Sequence, residues 1–257
     1  MNALNSIKIV DELIDTFFEA GKLSLNIRDK ELIKKTKSDN TPVTNGDIEV
    51  NNILTKKISE LTPEIPIVSE ESSKNKDNNK LKTFWLIDPI DGTYDYINGK
   101  DEFTLNAALI INNKTSIGVV YAPAKDRMFY TYGQNSSFEI NNGNKNELKC
   151  KKISKINEVK AVSYSNDLKT EILEMHKKYK VTNFTKMKSS LKFCVVATGE
   201  YDLYVAEPRA CEWDIAAGHA ILIGAGGEVT DFNGNEILYG KKDFKNPSLI
   251  LKRSSKL

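Results

Sequence analysis

The chain has 257 residues, enough for one large domain or two closely joined halves, and 40% of them are hydrophobic. Its 37 basic and 35 acidic side chains leave a formal charge of +2, so no global field points toward a nucleic-acid polymer or a membrane surface. Cys150, Cys194 and Cys211 lack paired spacing, and His176 and His219 are the only imidazoles, which excludes a disulfide framework and a three-histidine zinc site.

The first twenty residues interleave Lys8, Asp11, Glu12, Asp15 and Glu19 with apolar positions, unlike the unbroken core of a signal peptide, and no later run is long enough for a spanning helix. A reducing cytoplasm is the expected compartment, at most at the inner face of the membrane. Ile7, Val10, Leu13, Ile14, Phe17 and Phe18 recur at helical spacing and predict an opening helix that Gly21 weakens near its end. A polar stretch, Lys34 to Asn45, leads to Asp47 and a second helical run, Val50, Ile53, Leu54, Ile58 and Leu61, stopped by Thr62-Pro63.

Ile65 to Ser69 and Phe84 to Ile87 read as short strands that deliver Glu70-Glu71 and Asp88. Between them, Ser72 to Lys82 reads as a solvated loop with no chemistry. Thr104 to Ile111, Ile117 to Tyr121, Met128 to Tyr132 and Phe138 to Ile140 form a predicted meander, its first turn at Asn112-Asn113-Lys114. After the polar segment Lys145 to Lys155, helical rhythm returns at Asp167 to Lys178, Ser189 to Thr198 and Asp214 to Ile223, with strands between; His219 is expected to pack rather than to act as a base. The order of elements predicts an α+β half, residues 1–150, with most acidic candidates, and an α/β half, residues 151–257, with a soft boundary at 145–155.

The chemistry concentrates at Asp88-Pro89-Ile90-Asp91-Gly92-Thr93. A tight turn after a strand can aim Asp88, Asp91 and the Ile90 carbonyl at one point, an oxygen set suited to Mg²⁺. Gly92 lets a phosphate approach the backbone. Alone, this segment is as readily a polar turn, Glu70-Glu71 a solvated pair, and Asp214 a helix cap. Their joint order is what carries information, because clustered carboxylates repel strongly unless a cation joins them.

The ordered set Asp47, Glu70-Glu71, Asp88 to Thr93 and Trp213-Asp214-x-x-x-Gly218 resembles the lithium-sensitive, magnesium-dependent phosphatase superfamily of the inositol monophosphatases, over nearly the whole chain. Asp39-Asn40-Thr41-Pro42-Val43-Thr44, Glu102-Phe103-Thr104-Leu105-Asn106 and Ser189-Ser190-Leu191-Lys192-Phe193-Cys194 are most similar to its bacterial 3'(2'),5'-bisphosphate nucleotidases. The resemblance implies a layered αβαβα fold and two to three Mg²⁺ ions. Glu70, Asp88 and the Ile90 carbonyl would hold the first ion, Asp88, Asp91 and Asp214 the second, and Glu70 with Glu71 a weaker third. Asp47 and Thr93 would orient the attacking water, with Glu70 also in the catalytic set, and the Gly92 and Thr93 amides would hold phosphate oxygens. Asp214 also counts among the substrate-side residues.

Lys192 would meet a second phosphate, which points to hydrolysis of adenosine 3',5'-bisphosphate to AMP and phosphate, a step expected in sulfur metabolism. Tyr94-Asp95-Tyr96 and the segment Val205 to Cys211 depart from the nucleotidase pattern and put substrate choice in question. Glu207 stands where inositol phosphatases carry a sugar-binding acid, so an inositol or sugar monophosphatase is the rival reading, and Arg209 is open to a phosphate. A non-catalytic phosphometabolite-binding protein is a third reading, disfavoured because every expected ligand position is still acidic. The resemblance also leaves a homodimer open and implies lithium inhibition.

Overall fold

The computed structural model describes residues 3–38, 40–72, 74–76, 80–150 and 158–257. Asp39 and residues 151–155 of the expected boundary lie outside them. Two long helices open the chain, α1 (Ala3–Lys30) and, after the short antiparallel pair β1 (Lys34–Thr36) and β2 (Pro42–Thr44), α2 (Asn45–Leu61). Gly21 does not weaken α1. A Cβ there would lie 2.3 Å from Tyr121 Cε1, so the glycine permits close packing against the sheet while the helix continues to Lys30. The hairpin was not expected in the polar stretch, because three-residue strands carry almost no periodic signal.

A seven-stranded sheet follows, in chain order: β3 (Ile67–Ser69), β4 (Phe84–Asp91), β5 (Thr104–Ile111), β6 (Lys114–Ala122), β7 (Arg127–Thr131), β8 (Ser137–Asn141) and β9 (Asn144–Leu148). Only β3 and β4 run parallel in it; the remainder is an antiparallel meander. The two-residue turn between β5 and β6 uses Asn112 and Asn113 with φ of 51° and 63°, the left-handed pair that matches strand twist. The short helix α3 (Thr93–Ile97) leaves the end of β4. The charged strand β9 occupies an edge, where its polar face meets solvent instead of a neighbouring strand.

The second sheet has the order β11 (Val181–Lys186), β10 (Val159–Ser163), β12 (Leu203–Ala206), β14 (Leu249–Lys252) and β13 (Glu228–Thr230). Helices α4 (Thr170–Lys178), α5 (Leu191–Thr198) and α6 (Glu212–Gly224) accompany it. Strand periodicity sorts the core into layers. Trp85 and Ile87 of β4 point with Leu105, Ala107 and Leu109 toward Leu13, Phe17, Val50 and Leu54 of α1 and α2. Phe84 and Leu86 point the other way, to Phe193, Val196, Ala216 and Ile221 of α5 and α6, which also meet Val162, Tyr204 and Leu251 of the second sheet. That sheet's far face packs Ala161, Leu203 and Ile250 against Ile172 of α4. The result is the five-layer αβαβα arrangement that the resemblance implied.

Helix α6, caught between two sheets, is apolar nearly all round, as a helix with no solvent face must be. Its fit is close: a Cβ on Gly118 of β6 would sit 2.4 Å from the Ala217 carbonyl oxygen. No helix among the described residues is long and apolar enough to cross a membrane. His219 is 5% exposed, its Nδ1 2.7 Å from the Tyr239 hydroxyl, and burial pushes its pKa down to about 3.

Two outcomes follow from this packing. Gly118→Ala forces the helix off the sheet and should cost about 1–3 kcal/mol in a urea unfolding titration. For His219, the unfolded imidazole takes up a proton below about pH 6.5 while the folded one does not until much lower, so its share of stability is complete above that pH and lost on acidification. His219→Gln should therefore flatten the fall in unfolding free energy between pH 6.5 and 5 by up to about 1 kcal/mol per pH unit.

Candidate active site

Each acidic candidate is set by a local rule of backbone structure. Thr44 caps α2, and Asp47 closes a capping box, its Oδ2 accepting from the Thr44 amide at 2.7 Å and the Thr44 hydroxyl at 2.6 Å. The other oxygen, Oδ1, accepts from the Thr93 hydroxyl at 3.3 Å, and that hydroxyl lies 3.1 Å from the Ile90 carbonyl oxygen. The Glu70 amide donates to the Ile87 carbonyl at 3.0 Å, which fastens the end of β3 beside β4. Asp214 is the third residue of α6 and repeats the capping box, accepting from the Cys211 amide at 2.8 Å.

Strand β4 breaks register between Asp88 and Asp91, so the intervening residues bulge from the ladder. Gly92 then turns the chain with φ of 95°, and a Cβ there would come within 2.9 Å of the Glu102 carbonyl oxygen. Both the backbone angle and the space require glycine.

These devices bring oxygens of Glu70, Asp88 and Asp214 within 4.8 Å of one another. Burial pushes the Asp88 acid well above the ordinary carboxylate range, with the charges of Glu70, Asp91 and Asp214 adding to the rise. Asp214 is raised well above its usual value by burial and by Asp91 and Glu70. Asp91 rises to about 6 through burial, opposed chiefly by the Lys192 ammonium. Asp88 Oδ1 is buried with no hydrogen-bond donor. An orphaned carboxylate oxygen facing other carboxylates fits a hard divalent cation, as do the all-oxygen donors around it.

Glu71 stands apart from that trio. Its Oε1 is 2.6 Å from Lys37 Nζ, which also reaches Glu70 Oε1 at 2.8 Å. Burial disfavours the Lys37 ammonium, yet the two glutamates outweigh it and raise its pKa. The segment Ser72 to Lys82 was expected to carry no chemistry; instead Lys76 Nζ donates to the Glu70 carbonyl at 2.6 Å and lies 4.9 Å over the Trp213 ring. Neither lysine was foreseen, since a lysine in a polar stretch looks the same in sequence whether it faces solvent or folds back onto an acid.

The opposite wall is cationic. Lys192 is 6% exposed, donates to the Ser189 carbonyl, and has its pKa pushed down to about 8 by burial despite Asp91. It shares a cavity of about 120 Å³ with Asp91, Tyr164, Arg209 and Asp214. The Tyr164 ring has Lys188 Nζ 3.3 Å and the Arg209 guanidinium 3.4 Å from its centroid. Tyr164 and Lys188 were missed, as no motif surrounds them. Glu207 lines a neighbouring cavity of about 260 Å³ and is paired with Lys169 at 2.7 Å, outside the Asp91 and Asp214 cavity.

Comparison with known proteins places the chain as a whole. The chain is 34% identical over 243 residues to the 3'(2'),5'-bisphosphate nucleotidase CysQ of Buchnera aphidicola, covering 93% of this chain and 91% of that protein. Its fold is similar to the crystal structure of CysQ from Bacteroides thetaiotaomicron, with a TM-score of 0.74, 28% identity and coverage of 98% and 96%. It is equally similar to an inositol monophosphatase of Thermotoga maritima, with a TM-score of 0.76, 27% identity and coverage of 95% and 91%. Residues 3–256 match the profile of the inositol monophosphatase family, and with the acidic cluster set at two helix starts and two strand ends, the chain belongs to that family.

Proposed function

We propose that this protein hydrolyses small phosphomonoesters with Mg²⁺, and that its preferred substrate is a doubly phosphorylated nucleotide, adenosine 3',5'-bisphosphate foremost, giving AMP and phosphate. The observation that carries the choice is the cavity in which Asp91 and Asp214 face Lys192 and Arg209: one wall for a metal-held phosphate, the other for a second anion. The curated relatives named as bisphosphate nucleotidases support it. Members of the inositol monophosphatase family use Mg²⁺.

In this reading Glu70, Asp88 and the Ile90 carbonyl hold one ion, Asp88, Asp91 and Asp214 a second, and Glu70 with Glu71 a third. Bound Mg²⁺ would neutralise the carboxylates, polarise phosphoryl oxygens and acidify a water. The Thr93 hydroxyl, donating to Asp47, leaves its lone pairs to accept from a water, so Asp47 would receive that water's proton through Thr93, with Glu70 the further acid of the catalytic set. The Gly92 and Thr93 amides meet equatorial phosphoryl oxygens, where negative charge spreads in the transition state. Residues 1–150 carry the Thr44 and Asp47 cap and the strand ends of this machinery, and residues 151–257 bring the Asp214 cap and Lys192. Glu207, tied to Lys169 in the neighbouring cavity, gives the inositol or sugar monophosphatase reading less support.

A phosphate-release assay comparing adenosine 3',5'-bisphosphate with inositol 1-phosphate tests the substrate. Lys192→Ala should lower kcat/KM on the nucleotide by about tenfold to a hundredfold, a loss of one charge-assisted contact, and unchanged turnover would remove Lys192 from the site. Metal binding has its own readout. Because the acidic cluster repels itself when empty, Asp88→Asn should raise the melting temperature of the metal-free protein by about 2–4 °C while abolishing most of the rise that millimolar MgCl₂ gives the wild type.

A further inference from the structure

The segments Glu102 to Asn106 and Ser189 to Lys192 are far apart in sequence and closely joined in space. Glu102 Oε2 accepts from the Lys188 amide at 3.0 Å. The Ser190 hydroxyl donates to Asn106 Oδ1 at 2.6 Å and lies 3.0 Å from the Thr104 hydroxyl. Since the Ser190 proton is committed to Asn106, Thr104 must be the donor to Ser190. Thr104, Asn106 and Ser190 are at most 2% exposed, so these bonds have no competing water.

Between the pinned residues 188 and 190 stands Ser189, a non-glycine with φ of 53°. Such a conformation persists only where its surroundings enforce it. Here Glu102 holds the chain on one side of Ser189 and Thr104 with Asn106 on the other. The consequence is specific: the Ser189 carbonyl is turned onto the Lys192 ammonium. The lysine stem has four rotatable bonds, so a fixed acceptor narrows where its ammonium rests.

The strand that supplies these anchors is also the neighbour of the acidic strand. In the β4 to β5 ladder Asp88 stands opposite Asn106 and Asp91 opposite Thr104. Cross-strand partners share a face, and here it is the face toward α5 and α6, as Leu86 opposite Ala108 shows. One rigid pair of strands therefore carries the acidic end on β4 and the anchors of the cationic end on β5.

We infer that Ser190, Thr104 and Asn106 are positioning residues that fix the offset between the carboxylate cluster and the Lys192 ammonium, and so select substrates whose second anionic group lies at that distance from the scissile phosphate. The inference rests on the proposed hydrolysis of a doubly phosphorylated nucleotide. It separates two tasks: the carboxylates act on any phosphate monoester, while the hydroxyl relay decides how much a second phosphate contributes.

The test compares wild type, Ser190→Ala, Thr104→Val and Thr104→Ser at saturating MgCl₂ on adenosine 3',5'-bisphosphate and adenosine 3'-monophosphate. With the relay cut in Ser190→Ala and Thr104→Val, KM for the bisphosphate should rise about tenfold, with kcat and the monophosphate KM changing less than about twofold. Thr104→Ser, which keeps the hydroxyl, should behave as wild type. The nearly isosteric Thr104→Val carries the test if Ser190→Ala does not fold. Equal KM increases on both nucleotides, or a kcat loss on both, would overturn the inference alone. A wild-type protein that hydrolyses inositol 1-phosphate but neither nucleotide would overturn the functional reading and this inference together.

Discussion

The rest of the site is arranged around the mutual repulsion between a buried carboxylate, Asp88, and the half-buried carboxylates beside it. Asp88 is 1% exposed, has one oxygen without a donor, and faces Glu70 and Asp214 across less than 5 Å. Like charges at such separations in a poorly solvated site cost several kcal/mol, and a fold accepts that cost only where a cation relieves it. Burial and neighbouring charge raise Asp88 and Asp214 together, while Lys37 offsets part of the charge of Glu70. The chemistry proposed for the site draws on the same instability.

Local backbone devices hold the acids in place against that repulsion. Asp47 and Asp214 each occupy the third position of a helix and bond back to the cap, so their carboxylates are fixed by the helices they start. Glu70 follows the end of β3 and Asp88 lies on the neighbouring β4, where the bulge after Asp88 shifts the register before Asp91 rejoins the ladder opposite Thr104. Helix α6 can carry Asp214 to this point only because glycine and alanine let it lie between two sheets. The small residues Gly118, Ala217 and Gly218 thus serve the active site as much as the core.

Opposite charge enters the site from segments with no common motif. Lys37 comes from the β1 and β2 hairpin, Lys76 from the loop before β4, and Lys188, Lys192 and Arg209 from around α5 and β12. The whole-chain charge of +2 conceals this division into an acidic wall and a cationic one. In the proposed reading, the spacing of those walls distinguishes one phosphate from two, and that spacing follows from the β4 and β5 ladder.

The sequence by itself determined the helices α1 and α2 and the meander, because apolar periodicity acts within a few residues, and it marked the acidic set through the joint order of its segments. Asp47, Glu70, Asp88, Asp91 and Asp214 were all named from the sequence, and the fold brings oxygens of Glu70, Asp88 and Asp214 within 4.8 Å of one another. The hairpin β1 and β2 and the edge strand β9 were not legible there, since short polar strands carry almost no periodic signal, nor was the continuation of α1 through Gly21, which depends on its contact with the distant Tyr121. Only the tertiary structure decided that Lys37 and Lys76 turn inward, that Glu207 pairs with Lys169, and that Ser190 reaches Thr104 and Asn106. A lysine or serine has the same local propensities in solvent and in a site, and what separates the two is which elements the fold brings beside it.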